Sequence, residues 1–394
     1  MKKYPYHLII ITSGFPSTNS SKPGIVILRT IREMNSDIDV VVPATKRKIN
    51  ENVFPKGRIH WVRYMPRILC LLQSTEGDGG IPVRIKQNPL LLLLVPFVMV
   101  ALFIRTFRLI RNNSIIHAQW LPIAFIAAII KVIKHNPFLV TIRGADQVLW
   151  KIKLLKPIVN WIFQSSDAVV TVSKKLSHEI SAKFDIPSKT YFIPNGVNVP
   201  SEIKKDINNK ITILFIGALI SRKGVDILIQ AFAMANFESH IQLIIGGGGI
   251  ERKKLESIAR GTNVEDNITF LGEIPSNKVQ DLMLKSDCFV LPSYSEGTPN
   301  VIKEAMACGI PVIATNVSGN PELIKHNKTG LLFEPGDVNT LAKLLHFAID
   351  NKNIMKEMGR KGKEFIISEK LTWRNCANAY EQIYKNIERK ISNP

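Results

Sequence analysis

Residues 288–315 read CFVLPSYSEGTPNVIKEAMACGIPVIAT, and this stretch decides the fold. The short apolar runs Cys288–Leu291 and Pro311–Ala314 predict two buried strands. Between them, a polar loop leads into a helical pattern that ends at Gly309. A strand, a helix and a second strand of this kind predict an α/β protein with a parallel sheet that is covered on both faces.

The same alternation of apolar strands and helical patterns extends through the rest of the chain. Because these runs are apolar at nearly every position, each sheet is expected to be doubly wound, with helices on both faces. The predicted strands outside this stretch are His7–Thr12, Asp39–Val42, Ser114–His117, Phe138–Ile142, Ala168–Val172, Ile211–Ile216, Ile241–Ile245 and Ile268–Leu271.

The chain has 394 residues, enough for two domains. Pro194–Asn209 is rich in turn-forming and polar residues and is the best linker. We therefore predict a first domain at 1–195, a second at 196–364 and a helical tail at 365–394. Two Rossmann-like sheets of this kind are expected to face each other across a cleft, with ligands at the carboxyl ends of the strands.

Charge is distributed unevenly between these domains. Residues 1–195 carry 27 Lys and Arg against 10 Asp and Glu, whereas residues 196–394 carry 25 against 22. The basic half is expected to face nucleic acid, an anionic membrane or a phosphorylated substrate, unless it is only a solubilising surface. The apolar fraction of 45% excludes disordered and fibrous classes. Four cysteines without metal-ligand spacing indicate reduced thiols and no metal site.

Two apolar stretches in the basic half could contact a membrane. Leu90–Ile104 is uncharged, but its 15 residues are too few to span a bilayer and Pro96 interrupts them. Arginines follow it at once, which is typical of a helix in the interface of an anionic leaflet. Trp150–Phe163 repeats apolar residues at helical spacing beside three lysines. Core helices packed on a sheet are the alternative interpretation of both stretches.

The loop before Asn300 has the features of a phosphate site. Thr298 suits an N-cap and Pro299 suits the first helical position, so free backbone N–H groups and the positive helix end point at the strand ends. Glu296 and Glu304 are eight positions apart and can point into one pocket. There they could accept hydrogen bonds from sugar and ribose hydroxyls. The alternative is a capping loop with a solvated glutamate.

Two further features follow strands of the second domain. Arg222 and Lys223 come after Ile211–Ile216, where paired cations would neutralise a diphosphate leaving group, although such pairs are also common on surfaces. The run Gly246–Gly249 invites a dinucleotide interpretation, but Glu251 occupies the position of the third glycine. NAD binding is therefore not expected, and the glycines are expected to permit close approach of backbone and ligand.

The first domain offers candidates at its own strand ends. Gly24 precedes the predicted helix Ile25–Met34 and would permit close approach of a phosphate. His117 ends one apolar strand, and Arg143 and Asp146 follow the next strand. These three residues lie at the carboxyl edge of the sheet and are candidates for ligand contact, although a histidine at a strand end is often structural.

The pattern as a whole resembles the family 4 retaining glycosyltransferases of the GT-B fold, over nearly the whole chain. Residues 295–315 carry the most specific resemblance, and the other segments are individually modest. They are FP at 15–16, PG at 23–24, IIHAQW at 115–120, RGAD at 143–146, VSKKL at 172–176, IPNGV at 193–197, SRKG at 221–224, FLG at 270–272 and TGLLFEPGD at 329–337.

The resemblance implies transfer of a sugar from a nucleotide diphospho-sugar, with retention of configuration and without an obligatory metal or other cofactor. Glu296 would contact the donor sugar, Glu304 the ribose, and the loop from Gly272 to Ile274 the base. It also implies that the C-terminal helix crosses back to the first domain. The residues that would hold the diphosphate are Gly24, Arg222, Lys223, Gly297, Thr298 and Asn300, and the acceptor-side candidates are His117, Arg143 and Asp146.

Two positions depart from the family pattern. Many members have His-Gly where this chain has Arg143-Gly144, and members often have an arginine where this chain has Ala218. The first departure concerns contacts with the acceptor. The second concerns affinity for the donor phosphates, for which Arg222 is the expected substitute.

The resulting hypothesis is a hexosyltransferase-type retaining enzyme that extends a lipid-linked or polysaccharide acceptor in surface-glycan biosynthesis. It would be cytoplasmic and peripheral on the cytoplasmic face of the membrane, with its basic half toward anionic lipid and no nucleic-acid partner. Two alternatives stay open. One is a transferase for a small soluble acceptor, and the other is a catalytically silent protein of the same fold that binds anionic surfaces.

Overall fold

The protein was analysed as a computed structural model that describes residues 6–16, 24–44, 53–66, 85, 88–144, 146–201, 210–297, 299–317 and 319–392. The chain forms two compact units. Unit 1 comprises Met1–Gly196 together with Trp373–Pro394, and unit 2 comprises Val197–Thr372. Each unit is built on one parallel sheet.

Unit 1 contains a seven-stranded sheet and helices on both of its faces. Its elements before the linker are β1 (His7–Ile11), α1 (Ile25–Glu33), β2 (Asp37–Pro43), β3 (Arg58–Val62), a 3-10 helix (Pro89–Leu94), α2 (Val95–Leu109), β4 (Ser114–Ala118), α3 (Leu121–Lys134), β5 (Phe138–Ile142), α4 (Gln147–Lys151), α5 (Lys156–Ser165), β6 (Ala168–Thr171), α6 (Lys174–Phe184), a second 3-10 helix (Pro187–Lys189) and β7 (Thr190–Phe192). The strand order is β3-β2-β1-β4-β5-β6-β7, so the direction of winding reverses between β1 and β4.

Alternate side chains of the central strands face opposite helix layers. Ile9 and Ile11 of β1 pack in the core that includes α2 and α3, whereas Leu8 and Ile10 pack in the core that includes α1. Side chains of a strand alternate between faces, so a strand covered on both sides is apolar at every position. This is the physical basis of the sequence pattern, and it confirms the predicted doubly wound architecture.

Unit 2 has the strand order β10-β9-β8-β11-β12-β13, which is the 3-2-1-4-5-6 order of many nucleotide-binding sheets. Its elements are β8 (Ile211–Ile216), a 3-10 helix (Ser221–Lys223), α7 (Val225–Ala235), β9 (Ile241–Gly246), α8 (Arg252–Arg260), a 3-10 helix (Glu265–Asn267), β10 (Ile268–Gly272), α9 (Val279–Leu284), β11 (Cys288–Leu291), α10 (Asn300–Ala307), β12 (Val312–Thr315), α11 (Asn320–Leu323), β13 (Leu331–Phe333), α12 (Val338–Asp350) and α13 (Lys352–Ser368).

The chain then returns to unit 1 as α14 (Trp373–Ser392). The predicted start of this tail at residue 365 was wrong, because residues up to Ser368 still belong to α13. Lys370 adopts a left-handed conformation with φ 54°, which breaks the helix between the two segments. Tyr380 and Tyr384 of α14 are buried in the core that includes α1.

The strands missed by sequence patterning all lie at sheet edges. β3 and β7 are the outer strands of the first sheet, and β13 is an outer strand of the second. β3 has the sequence RIHWV, which mixes charged and apolar residues, and β7 and β13 have three residues each. Edge strands are covered by fewer neighbours and need no continuous apolar run, so composition identifies them poorly.

One helical segment of the described chain is long and apolar enough to cross a membrane. Pro89–Leu109 has 21 residues and a mean hydropathy of 2.5, and 22% of its most apolar window is buried. The helical segment is longer than the predicted range because it continues through Arg105 and Arg108. The prediction that this stretch is too short to span a bilayer was therefore wrong. However, Val98, Leu102 and Thr106 are buried. One face of α2 therefore belongs to the core of unit 1.

Candidate functional site

The candidate site lies at the carboxyl edge of the sheet of unit 2, between β8 and β11. These strands are neighbours, and winding proceeds in opposite directions from them. The loops that follow them therefore meet at the topological switch point, where doubly wound sheets bind ligands. The loops are joined directly, because the backbone N–H of Tyr294 donates to the carbonyl of Arg222 at 2.9 Å.

Glu296 is the centre of this site, and two cations of the β8 loop converge on it. Lys223 Nζ donates to Glu296 Oε1, and Ser293 Oγ donates to the same oxygen at 2.6 Å. Arg222 Nη1 donates to the carbonyl of Ser295 at 2.5 Å and lies 3.9 Å from Glu296 Oε2. The side chain of Glu296 is 7% exposed and that of Lys223 13%, whereas Arg222 is 49% exposed.

This arrangement brings together the three residues predicted to be catalytic. An ammonium group has three N–H donors and a guanidinium has five, so both cations retain donors beyond those used here. Glu296 Oε2 likewise retains capacity to accept a hydrogen bond from a hydroxyl. The cluster thus offers a carboxylate acceptor beside two cationic donors, which is suited to a ligand that carries both hydroxyls and phosphates.

Close backbone packing fixes the two loops. Gly224 has φ 62°, and a Cβ at this position would lie 2.2 Å from the carbonyl oxygen of Pro292. Only glycine fits both the conformation and the space, so it lets the Lys223 loop lie against the Glu296 loop. Thr315 Oγ1 donates to the carbonyl of Ser293 at 2.6 Å and supports the second loop from β12.

Helix α10 follows this loop and begins at Asn300 with Pro299 as its N-cap. The predicted N-cap at Thr298 is thus displaced by one position, and Thr298 itself lies outside the described residues. Gly297 is exposed, and a Cβ at this position would meet nothing within 4 Å. The backbone before the helix is therefore open to a ligand. Asn300 and Glu304 are half-buried on the helix.

The predicted base-side residues lie at the carboxyl end of β10, of which Gly272 is the last residue and which Ile274 follows. Gly272 is buried with φ 71°, and its carbonyl accepts from the N–H of Gly247 at 2.7 Å. Ile274 is half-buried and packs over Gly246, where a Cβ would lie 2.2 Å from its Cδ1 atom. Both residues lie at the same sheet edge as the Glu296 cluster.

The glycine run after β9 packs against protein backbone, although Gly247 is half-buried and Gly249 is exposed. A Cβ on Gly247 would lie 1.8 Å from the carbonyl oxygen of Gly217, and one on Gly249 would lie 2.2 Å from that of Leu219. The structure explains these two glycines without a ligand, and the expected close approach of a ligand stays a prediction. Their absence of side chains lets the β8 and β9 loops lie together.

Gly24 of unit 1 also has a packing role. It precedes α1 with φ 68°, and a Cβ there would lie 2.4 Å from the carbonyl oxygen of Gly14. The structure therefore explains this glycine without a ligand, and its predicted contact with a diphosphate stays a prediction.

His117 is enclosed in a neutral hydrogen-bond network of unit 1. Its Nδ1 lies 2.7 Å from Tyr384 Oη, and its Nε2 lies 2.8 Å from Thr141 Oγ1 and 2.9 Å from Gln119 Nε2. The residue is 1% exposed. Burial, together with the nearby positive charge of Arg143, lowers the pKa of His117 to about 3. This burial argues against the predicted direct contact between His117 and an acceptor.

Asp146 is likewise buried and has a structural role. Its carboxylate accepts the backbone N–H of Leu121 at 2.9 Å and that of Arg143 at 3.1 Å. Burial raises the pKa of Asp146, although these backbone donors act in the opposite direction. The side chain joins the start of α3 to the loop after β5, so it is not placed to contact an acceptor directly.

Arg143 is the acceptor-side candidate whose side chain reaches the surface. It is half-buried, and its guanidinium donates to Gln119 Oε1 and to Asn195 Oδ1, both at 2.9 Å. Both of these partners are neutral amides, so they orient the cation without cancelling its charge. The same group borders a small pocket that is also lined by His117, Gln119 and Tyr380.

Sequence reasoning missed two residues that position the candidates. Ser293 donates to Glu296, and Gln119 links Arg143 to His117. Gln119 lies within the family segment at 115–120 but was assigned no role there, and Ser293 precedes the segment at 295–315. Each follows a predicted strand. Within the described ranges, no cluster of three or more His, Cys, Asp or Glu residues could hold a metal ion. The expectation that catalysis needs no metal stays a prediction.

Solved structures with the same architecture define the class of the protein as GT-B. Sucrose-phosphate synthase from Thermosynechococcus elongatus is 19% identical, with a TM-score of 0.75 over 97% of this chain and 99% of that chain. Anabaena HepE in complex with UDP-glucose is 17% identical, with a TM-score of 0.70 over 97% of this chain and 99% of that chain. At these identities the similarity shows the fold alone.

The chain belongs to the family 4 glycosyltransferases. The model described as Glycosyltransferase Family 4 matches residues 26–200, and the model described as Glycosyl transferases group 1 matches residues 201–365. An uncharacterized glycosyltransferase of Methanocaldococcus jannaschii is 32% identical over 70% of this chain and 76% of its own length. The protein is therefore a glycosyltransferase of EC class 2.4.

Two relatives with assigned activities are similar over comparable lengths. The N-acetyl-alpha-D-glucosaminyl L-malate synthase of Bacillus anthracis is 28% identical over 72% of this chain and 77% of its own. The GDP-mannose-dependent alpha-(1-6)-phosphatidylinositol monomannoside mannosyltransferase of Mycobacterium tuberculosis is 25% identical over 69% of this chain and 75% of its own. One name includes L-malate, and the other includes phosphatidylinositol monomannoside.

Proposed function

We propose that the protein is a retaining glycosyltransferase that moves a hexosyl group from a nucleotide diphospho-sugar to a lipid-linked or polysaccharide acceptor in surface-glycan biosynthesis. It acts as a cytoplasmic enzyme, peripheral on the cytoplasmic face of the membrane. The observation that carries the proposal is the convergence of Lys223 and Arg222 on Glu296 at the switch point of the sheet.

The two cations and the start of α10 bind the donor diphosphate. Lys223 uses one N–H to hydrogen-bond Glu296 and donates its other N–H groups to phosphate oxygens. The exposed guanidinium of Arg222 supplies further N–H donors to the same phosphates. The open backbone at Gly297 and the N-terminus of α10 add N–H groups and a positive dipole end. The resemblance also assigns Thr298 and Asn300 to the diphosphate. No metal is required to balance the diphosphate charge.

Transfer proceeds by front-face displacement. The bond between the anomeric carbon and the diphosphate oxygen breaks, and the acceptor oxygen bonds to the same face of that carbon. The proton of the acceptor hydroxyl passes to the departing diphosphate oxygen, so atoms and charge balance. Lys223 and Arg222 stabilise the negative charge that develops on the leaving group.

The two glutamates orient the rest of the donor. Glu296 Oε2, which lies 3.9 Å from Arg222, accepts hydrogen bonds from hydroxyls of the transferred sugar. Glu304, on the same helix that starts after the loop, accepts from the ribose. The base lies by Gly272 and Ile274. A carboxylate can only accept hydrogen bonds, which suits it to sugar hydroxyls.

The acceptor side rests on unit 1. Arg143 is oriented by two neutral amides and half-buried, so it is suited to bind an anionic group of the acceptor. A lipid-linked acceptor carries such a group in its phosphate, and the mycobacterial relative is named for a phosphatidylinositol substrate.

A second candidate is transfer to a small soluble acceptor. The same guanidinium would bind a carboxylate as well as a phosphate, and a relative of 28% identity is named for L-malate as its acceptor. Arg143 therefore favours an anionic acceptor in either case, and the physical form of that acceptor separates the two candidates.

The test is transfer of label from UDP- and GDP-sugars into organic-extractable lipid by membranes that express the protein. Glu296→Gln keeps the size of the side chain and removes its charge, and Glu265→Gln is the matched control on an exposed 3-10 turn of unit 2. We expect label in lipid with the wild type and the control and at least a ~100-fold loss with Glu296→Gln.

The other outcomes are equally informative. Label in soluble glycans or small anionic acids, with none in lipid, would support the second candidate. No transfer from any donor, with binding of anionic surfaces retained, would support a catalytically silent protein. Retention of the anomeric configuration is checked by the coupling constant of the new linkage in the product, and an inverted product would contradict front-face displacement.

A further inference from the structure

We propose that unit 1 binds the surface of an anionic lipid bilayer through the outer face of its α2–α5 helix layer. The biological purpose of this binding, which is access to a lipid-linked acceptor, rests on the proposed function, but the binding itself does not. We call this surface the cationic apolar face. Its exposed apolar side chains include Leu90, Leu93, Phe97, Ile104, Leu154 and Trp161.

The first argument is the amount of apolar surface left in contact with solvent. Leu93 is 70% exposed and Leu154 is 84% exposed, and 22% of the most apolar window of Pro89–Leu109 is buried. A helix that only covers a sheet presents polar side chains on its outer face. Large contiguous apolar patches mark interaction sites with membranes or proteins.

The second argument is that these side chains lie on neighbouring segments of one layer, which are α2 with the 3-10 helix that leads into it, and α5 with the turn before it that contains Leu154. Helix α2 packs against α3, and α3 packs against α5. Phe125 of α3 and Trp161 of α5 meet edge to face at 5.9 Å between ring centroids, and Lys134 of α3 lies 4.7 Å from the ring of Phe107 of α2. The exposed groups therefore form one surface rather than scattered single residues.

The third argument is charge. Residues 89–166 contain nine Lys and Arg and one acidic residue, Asp146. Two of the nine pair with carboxylates outside this range, Lys131 with Asp167 at 2.7 Å and Arg111 with Asp37 at 3.1 Å, so seven cations remain against one buried carboxylate. Asp146 is buried under the loop after β5, so it does not oppose the cations at the surface. Lys151, Lys153 and Lys156 are exposed beside Leu154. Cations interleaved with exposed apolar groups complement an anionic leaflet, which attracts both components.

Two other occupants fit these observations less well. A second copy would pair this surface with itself in a closed dimer, so the cations of one copy would face those of the other. A transmembrane arrangement would require lipid around α2, but Val98, Leu102 and Thr106 are buried, and α2 packs on β1, β2 and β3. A surface-bound helix satisfies both its buried and its exposed face.

The experiment is co-sedimentation of the full chain with vesicles of phosphatidylglycerol and phosphatidylethanolamine, compared with vesicles of phosphatidylcholine. Leu93→Ser tests insertion, and its matched control is Ile367→Ser, which changes an exposed apolar residue of unit 2. We expect strong binding to the anionic vesicles only, about a tenfold weaker partition for Leu93→Ser, and no change for the control.

A second set of variants tests the role of charge. In the test variant, Lys151, Lys153 and Lys156 are all replaced by Gln. The control replaces Lys253, Lys278 and Lys343, three exposed lysines of unit 2, in the same way. The first variant should lose preference for anionic lipid and most of the salt dependence of binding, and the control should keep both. Tryptophan fluorescence should shift to the blue when wild-type protein binds vesicles, and this shift should be smaller in Trp161→Phe.

Defined results would overturn the proposal. These are equal partition of wild type and both test variants, a dimer in sedimentation equilibrium that Leu93→Ser dissolves, or resistance of the cellular protein to alkaline extraction, as expected for a span. Urea unfolding followed by tryptophan fluorescence reports that the unit 1 variants are folded, since all five tryptophans lie in unit 1, and circular dichroism reports the same for the unit 2 controls. Vesicle binding without any sugar transfer would contradict the proposed function and would still support membrane binding by the cationic apolar face.

Discussion

The two sheets share one strand order around their first strand, yet their switch points contain opposite chemistry. Between β8 and β11 of unit 2, Glu296 lies with Lys223 and the exposed Arg222. Between β1 and β4 of unit 1, His117 is buried against Tyr384. The same topology therefore places a charged cluster, the candidate donor site, at the switch point of unit 2. At the switch point of unit 1 it places a buried neutral histidine, linked through Gln119 to the half-buried Arg143.

The outer faces of the helix layers also differ between the two units in how their charges are balanced. The outer helices of unit 2 carry ion pairs along their exposed faces, such as Arg252 with Glu256 at 2.7 Å and Arg360 with Glu357 at 2.6 Å. Helices α2 to α5 of unit 1 contain no acidic residue. Ion pairs of this kind are typical of a water-facing surface, whereas unit 1 presents the cationic apolar face.

The largest expected effect comes from removing a charge at the unit 2 switch point. Lys223→Met should lower kcat/KM for transfer by about 100–1,000-fold, because one donor to the leaving group is lost. Because Glu296 would then lack its cation, Arg222→Met serves as a second variant at an exposed position. Steady-state kinetics with Arg260→Met as the exposed control would contradict the proposed roles if all three enzymes were equally active.

At the unit 1 switch point, the expected loss is in stability. Gln119 Oε1 accepts from Arg143, so its amide NH2 donates to His117 Nε2, and neutral His117 then donates its Nδ1 proton to Tyr384. Tyr384→Phe should lower the free energy of unfolding by about 1–3 kcal/mol, because a buried donor loses its partner.

Tryptophan fluorescence measures this loss selectively, because all five tryptophans lie within unit 1. Urea unfolding should shift for Tyr384→Phe and not for Tyr191→Phe, which alters an edge strand. Nucleotide affinity should be the same in both variants. A loss of nucleotide binding without a loss of stability would break the distinction between the two switch points.

The pH dependence of unit 1 sharpens the comparison. Burial lowers the pKa of His117 to about 3, whereas an unfolded histidine titrates near 6.5. Between these values the unfolded state binds the additional proton, so stability falls as pH decreases, by about 1.4 kcal/mol per pH unit. His117→Gln should have a correspondingly shallower decline in urea stability from pH 6 to pH 4. Parallel declines would show that His117 does not titrate as its burial requires.

The smallest expected effects come from the removal of helix caps, one in each unit. Ser173 Oγ accepts the N–H of Leu176 at the start of α6, and Asp337 Oδ1 accepts that of Thr340 at the start of α12. Replacing either by Ala should cost about 1 kcal/mol. Fluorescence should detect the first loss and circular dichroism both. Ser177→Ala, inside α6, should cost nothing, and an equal loss there would exclude a capping effect.

The sequence pattern predicted much of the fold, whereas it predicted the roles of individual side chains only in part. The central strands and the loop that holds Glu296 were predicted because burial on both faces demands continuous apolar runs and because loops at strand ends carry polar residues. Lys223 and Glu296 are 73 positions apart, and the sequence placed them together only through the expected sheet edge. Ser293 was missed because its hydroxyl acts through geometry that no spacing records.

The sequence alone determined the two parallel sheets and the charge asymmetry, since apolar periodicity and residue counts are local properties of the chain. Only the tertiary structure decided that His117 and Asp146 are interior, that Gly247 and Gly249 pack on backbone, and that the apolar helices of unit 1 adjoin. Burial and contact depend on residues distant in sequence. A polar residue at a strand end therefore acquires its role from what packs over it.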